Sequence, residues 1–407
     1  MKKHILIVCM HFYPVQFRIN DIALDLIERG YQVTVVTGIP NYPQGSFTKG
    51  YGYFRKRREN YQGIDIIRIP IFPRGNNSIS LILNYLSFQF SGFFFSLFTR
   101  IKADHVLIYG TSPLIKALTG LRYARRRHIP STLYVMDLWP ESVKYAGGID
   151  NRHVLNYLAK VMTKIYKMSS RILISSLSYD QNIKNLGIDS NKIEFWPQYA
   201  ENIFSNPNAK DTLPSEIIHD GKLNLVFAGT IAVAQGLDIL VKTAVLLKEK
   251  NIQVRFNIIG DGRAKADLIQ NIQSSDVNDY FIMIDRKPIE MIPSYFKACD
   301  GALLTLLDTP IWAMTIPAKL QSYMAFGIPV IASANGEVKR LIHEADCGYV
   351  SPASDANQLM ESIIKFSQLS IPQREVLASN AVHYSKKHFD KVVLMNRLEE
   401  IINPSEV

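Results

Sequence analysis

Two stretches of this 407-residue chain hold side chains at spacings that suit chemistry. The first runs from Thr315-Ile316-Pro317-Ala318-Lys319-Leu320 through Gly327 to Ser333, and it reads as loop, helix, stop and strand. Pro317 suits the first helical turn, where a missing N–H costs nothing. Gly327 suits the position past the helix end, and Pro329 stops any continuation. Unbonded backbone amides at 317–319 would leave such a helix start with the Lys319 ammonium beside them, an arrangement fit for a diphosphate. The other reading is a surface helix with an exposed lysine, and spacing leaves both open. The second stretch is Asp137-Leu138-Trp139-Pro140-Glu141, with two acids at the carboxyl end of a strand, where open α/β sheets build sites. Asp137 either polarises a hydroxyl or caps the following turn. In the first loop of the chain, His11 is either a site residue or loop packing. Arg18, at a helix entrance, either meets a phosphate or acceptor or pairs with Asp21 or Asp25.

The elements that must carry these residues alternate between strand and helix. His4–Met10 is an apolar run, Asp21–Arg29 an amphipathic helix and Gln32–Thr37 a second strand, which together open a parallel sheet. Further strands are expected at 64–71, 104–109, 131–136, 171–175 and 192–196. Residues 197–221 mix Asn, Pro, Ser and charge without periodicity and read as a hinge. A fresh sheet then starts at Leu223–Ala228, with strands at 255–259, 280–284 and 300–306 and a helical tail over 372–402. The expected organisation is a first domain over 1–198, a linker over 199–221, a second domain over 222–385 and a C-terminal helix over 386–407 that packs back on the first.

Length and composition agree with two globular cores. The first 200 residues hold 26 Lys and Arg against 12 Asp and Glu; of the chain's net +10, the remainder therefore carries −4. The clusters Arg55–Arg58 and Arg125–Arg127 suit anionic surfaces. Nucleic acid is disfavoured as a partner, because no basic-aromatic recognition motif or zinc module occurs. Cys9, Cys299 and Cys347 lack metal or redox spacing, which fits a reduced, cytoplasmic setting. His11, Pro14 and Arg18 come too soon after the first apolar run for a cleavable leader. Ile79–Phe98 contains thirteen Ile, Leu, Phe or Tyr among its twenty residues, with Arg100 and Lys102 beyond it. It is a buried helix, a membrane span or an interfacial helix. A span would divide one sheet between two sides of a bilayer, so contact in the plane of a membrane is expected instead.

The stretch Pro-Ala-Lys-Leu-Gln-Ser-Tyr-Met-Ala-Phe-Gly-Ile-Pro-Val-Ile-Ala-Ser resembles the donor-binding segment of family 4 glycosyltransferases, and within them the branch that builds O-antigen, capsule and colanic-acid repeats. Phe17-Arg18-Ile19-Asn20-Asp21, the Pro40-Asn41-Tyr42-Pro43 run, Asp137–Ser142, Gly229-Thr230 with Gly236-Leu237-Asp238, and Gly336-Glu337 follow the family's order over nearly the whole chain. The resemblance implies an α/β, GT-B architecture: two Rossmann-like parallel-sheet domains facing across a cleft, with retaining transfer from a nucleotide-sugar donor. It implies donor contacts at Gly229, Thr230, Arg286, Pro317, Ala318, Lys319, Leu320, Ser322 and Glu337. Acceptor contacts fall to Phe17, Arg18, Asn41 and Tyr42, and the chemistry to Asp137, Glu141 and His11.

The departures from the family pattern are specific. Relatives carry Arg and Lys where this chain has Thr230 and Gln235, and histidine where it has Met136. The family's E-x₇-E pair would fall on Met314 and Ser322. Diphosphate binding must therefore rest on Lys319 and Arg286, and ribose contact on Ser322 or a neighbour. No D-x-D occurs, so no metal or other cofactor is expected. Glu337 alternatively caps its helix, and Arg286 is alternatively a solvated charge. The implied partners are a nucleotide-diphosphate sugar, most often UDP-linked, an undecaprenyl-diphosphate-linked saccharide acceptor, and the cytoplasmic face of the inner membrane. Two other classes stay open: a non-catalytic nucleotide-sugar-binding subunit and a GT-B sugar epimerase.

Overall fold

The computed structural model describes residues 3–75, 77–145, 147–205 and 213–403. The chain forms two compact units, Met1–Trp196 with Met395–Val407, and Pro197–Leu394. Each is built on one sheet of the open α/β kind.

The first unit contains β1 His4–Val8, β2 Gln32–Gly38, β3 Arg58–Tyr61, β4 Ile64–Ile69, β5 His105–Gly110, β6 Ser131–Val135, β7 Arg171–Ile174 and β8 Ile193–Phe195. They lie in the order β3-β4-β2-β1-β5-β6-β7-β8. All are parallel except β3, which pairs antiparallel with β4 at the edge. The central strands are buried on both faces, so they read as unbroken apolar runs. Chain order reverses about β1, which has β2 on one side and β5 on the other. Crevices at such a switch point, outside the strand carboxyl ends, are where open sheets bind ligands.

The helix Ser78–Phe98 joins β4 to β5. Asn84, Phe88, Gly92 and Ser96 recur every fourth residue on its inner face. There it packs on the helix Ala117–Arg127, and a Cβ on Gly92 would come 2.1 Å from Thr119 Oγ1. On the other face Ile79, Ile82, Leu83, Leu86, Phe90, Phe93, Phe94, Leu97 and Phe98 are all exposed. This is the one helix among the described residues long and apolar enough to cross a membrane. Both of its ends feed strands of a single sheet, so it lies against its unit as a side-on crossover.

The second unit contains β9 Leu223–Ala228, β10 Val254–Ile259, β11 Phe281–Ile284, β12 Gly301–Thr305, β13 Val330–Ser333 and β14 Gly348–Ser351. The order β11-β10-β9-β12-β13-β14 is parallel throughout. Chain order reverses between β9 and β12. Leu225, Phe227, Leu240, Phe256, Ile258, Leu303 and Phe366 form the core behind that point.

The first unit ends at Trp196, and residues return to it at Met395. Lys3 Nζ donates to the Ile402 carbonyl at 2.9 Å, and the Arg29–Glu399 pair lies at 2.8 Å. The tail expected as one helix over 372–402 breaks at Phe389-Asp390 into Ile371–His388 and Lys391–Ile402. The stretch expected as a linker is partly anchored: Phe204 stacks on Phe296, and Glu216 pairs with Lys287 at 2.7 Å. The rest of that stretch, 206–212, and the tail end 404–407 lie outside the described residues.

Candidate active site

In the second unit the carboxyl ends of β9, β10 and β11 and the start of the helix Ala318–Phe326 enclose a cavity of about 300 Å³. Gly229, Thr230, Gly260, Asp261, Arg286, Ala318, Lys319 and Ser322 are among its lining residues. The turns that frame it need glycine. A Cβ on Gly260, at φ +152°, would come 1.9 Å from the Gly229 carbonyl oxygen. Gly229 itself, at φ +153°, lies beneath Lys319.

Lys319 is the electrostatic centre of this cavity. Its ammonium donates to Gln235 Oε1 and lies 4.2 Å from the Phe227 ring centroid. Among the described residues no carboxylate pairs with it. Burial alone pulls it down from its ordinary 10.5 to about 7. Partly buried and without a carboxylate partner among the described residues, this ammonium gains from a bound anion. Gln235, which stands where the family pattern has lysine, supplies the acceptor that holds Lys319 in place. The backbone amides of Ala318 and Lys319 open the helix and have no acceptor among the described residues. With the ammonium they complete an anion cradle.

Three of the expected donor residues need correction. Pro317 is the N-cap, with φ −73° and ψ 138°, so it precedes the first turn and, having no N–H, contributes no amide. Leu320 is wholly buried and packs in the core. Glu337 is also buried, away from the cavity lining, and pairs with Arg340 at 2.7 Å. Ser322 does reach the cavity, and its hydroxyl donates to the Ala318 carbonyl at 3.2 Å. Arg286 is exposed at the rim with no protein partner among the described residues. The neighbouring Lys287 is spent on Glu216.

In the first unit, Asp137 follows β6. Its Oδ2 accepts from the Ser112 amide at 2.5 Å, and Trp139 Nε1 donates to Ser112 Oγ at 2.9 Å. The loops after β5 and β6 are thus tied together at their carboxyl ends. Lys116, fully buried, donates to Thr111 Oγ1 in the same loop, and burial lowers it to about 8. Glu141 begins the short helix Glu141–Tyr145; burial raises its carboxyl, and among the described residues Oε2 has no hydrogen-bond partner.

His11 stacks on Phe17, with centroids 5.6 Å apart, and lies 5.2 Å from Tyr42. Burial, then the charges of Lys116 and Arg74, push its imidazole down to about 3. At ordinary pH it is a neutral ring in an aromatic cluster and holds no spare proton to give. Phe17 caps the helix Arg18–Glu28, so the cluster and Arg18 share one entrance. Asn41 is buried; its Nδ2 donates to the Ile39 carbonyl at 2.7 Å, and among the described residues Oδ1 has no partner. Sequence reasoning missed Arg74, Lys116, Phe227 and the part played by Gln235. Each is an ordinary residue until the fold gives it a neighbour. Among the described residues no three His, Cys, Asp or Glu side chains group to hold a metal.

Residues 210–384 match the family described as "Glycosyl transferases group 1". The chain is similar to the glycosyltransferase WbjE of Pseudomonas aeruginosa, at 26% identity over 77% of this chain and 80% of that protein. It is similar to WcaI of Escherichia coli K12, named for colanic acid biosynthesis, at 23% identity over 81% and 83%. Its fold matches Anabaena HepE, solved in complex with UDP and glucose, with a TM-score of 0.69 at 15% identity over 98% and 99% of the two chains. Residues 210–384 thus carry a group 1 glycosyltransferase domain, and the chain has a GT-B fold.

Proposed function

We propose that this enzyme moves a sugar from a nucleoside diphosphate donor, UDP-linked, to a hydroxyl of an undecaprenyl-diphosphate-linked saccharide during surface polysaccharide assembly. The carrying observation is the partly buried Lys319 ammonium, without a carboxylate partner among the described residues, beside two open helix amides in a cavity of about 300 Å³. As the donor's C1–O bond to phosphate breaks, negative charge grows on the departing diphosphate. Preorganised donors aimed at such charge supply most of the acceleration in many enzymes. Lys319, the Ala318 and Lys319 amides and the Arg286 side chain supply them without a metal. Asp137 holds the acceptor hydroxyl as its oxygen bonds to C1, the hydroxyl proton leaves on the departing diphosphate, and Glu141 lies in the same loop. Retention at C1 follows from the family resemblance.

WcaI supports the polysaccharide setting through its name and similarity. The exposed apolar face of Ser78–Phe98 supports work at the cytoplasmic face of the inner membrane, with the helix lying in the interface plane. Each fully buried side chain of that face would contribute roughly 1.5–3 kcal/mol. A mass-spectrometric screen of nucleotide sugars, with membrane extract as acceptor, tests the reading. It predicts one UDP-sugar consumed together with a new lipid-linked product. Donor binding without any product would replace it with a non-catalytic binding subunit.

A further inference from the structure

Among the described residues, one cation of the first unit stands against an aromatic ring with no carboxylate partner and no assigned task. Arg74 lies in the loop between β4 and the helix Ser78–Phe98, and its guanidinium sits 5.3 Å from the Tyr42 ring centroid. Tyr42 in turn packs against His11 and Phe17, 5.2 and 5.6 Å away. Among the described residues no carboxylate pairs with Arg74. Its charge is felt by both His11 and Tyr85, and Tyr85 also feels Asp137. A cation, three aromatic rings and the loop acid therefore share one neighbourhood.

The setting selects the ligand. A guanidinium stacked on an aromatic face keeps its N–H edge free, and its planar fork matches phosphate oxygens. The apolar face of the next helix begins five residues on, with Ile79, Ile82, Leu83 and Leu86 exposed. The buried Asn41 Oδ1, beside Tyr42 in sequence, has no donor among the described residues and suits a sugar hydroxyl. Apolar surface, cation, aromatic rings and carboxylate correspond to the tail, phosphate, sugar and reacting hydroxyl of one molecule.

We infer that Arg74 is the phosphate subsite for the acceptor, holding the diphosphate of a polyprenyl-linked saccharide with its tail against the helix that follows. This deepens the preceding reading and rests on its lipid-linked acceptor. Tyr42 orients Arg74, and Arg74 meets the phosphate.

The test titrates farnesyl diphosphate, farnesol and inorganic pyrophosphate into full-length Lys319→Met protein, in which the donor-side ammonium is gone. Farnesyl diphosphate is expected to bind at least tenfold more tightly than either control. Adding Arg74→Met is expected to weaken it at least tenfold, while adding Arg74→Lys weakens it less. The single Arg74→Met variant should keep its thermal midpoint and its affinity for UDP. That UDP arm reads the donor proposal separately, so the two fail independently. Equal affinity with and without Arg74, no binding of farnesyl diphosphate, or equal binding of pyrophosphate alone each overturns the inference.

Discussion

Gly229 and Lys319 share one volume: a Cβ at position 229 would lie 3.2 Å from both Cδ and Nζ of Lys319. The glycine at the end of β9 is thus the floor on which the lysine rests, beside Gln235 and Phe227. Backbone at φ +153° is also strained for any side chain.

That relationship predicts the effect of Gly229→Ala. The new methyl displaces the ammonium by a few tenths of an ångström and strains the turn. UDP affinity, read by calorimetry, should fall by about tenfold, or roughly 1.4 kcal/mol. Unchanged affinity would show that the lysine position is not set by this contact.

The lowered Lys319 value fixes two opposite pH trends. The folded group titrates near 7 and the unfolded one near its ordinary 10.5. Between those values the unfolded chain binds more protons, so ligand-free stability gains from this group as pH rises. Anion binding needs the ammonium, so UDP affinity should fall as pH rises from 7 to 9. Lys319→Met should flatten the affinity profile over that range and raise ligand-free stability near pH 7. Parallel profiles in wild type and variant would contradict this assignment.

Asp137→Asn separates chemistry from donor binding. The side chain keeps its shape and can still accept from the Ser112 amide, but it loses the charge that polarises a hydroxyl. Loss of such a group typically costs about 10²–10⁴-fold in rate. Transfer should fall within that range while UDP affinity stays constant. Transfer at the wild-type rate would leave Asp137 a structural tie between two loops.

The outward face of Ser78–Phe98 predicts salt-tolerant flotation with liposomes. Leu86→Glu and Phe90→Glu place charge on exposed positions and should abolish flotation without lowering the thermal midpoint. Variants that float like wild type would remove this helix from membrane contact.

Much of this architecture was legible because parallel strands buried on both faces leave continuous apolar runs, as in Ile5–Val8 and Leu223–Phe227. The edge strand β3 was not, since Arg58-Glu59-Asn60-Tyr61 is polar and gains its strand only by pairing with β4. Gly348–Ser351 escaped for a similar reason, being short and led by glycine. The helix start at Lys319 could be read from Pro317 and Gly327. Its partial burial could not, because Phe227 and Gln235 come from distant parts of the chain. Glu337 had the right neighbours in sequence, but its side chain turns to Arg340. His11 was visible as a candidate, while its neutrality follows from packing among Phe17 and Tyr42 and from the charge of Lys116.

The central claim is that a nucleoside diphosphate settles on Lys319 and the amides that open its helix. Calorimetric titration of UDP into wild-type and Lys319→Ala protein at pH 6.5, where the ammonium is charged, tests it most directly. The predicted result is measurable binding to wild type and at least about tenfold weaker binding to the variant, a difference of roughly 1.4 kcal/mol. Equal affinity in two folded proteins would contradict the account.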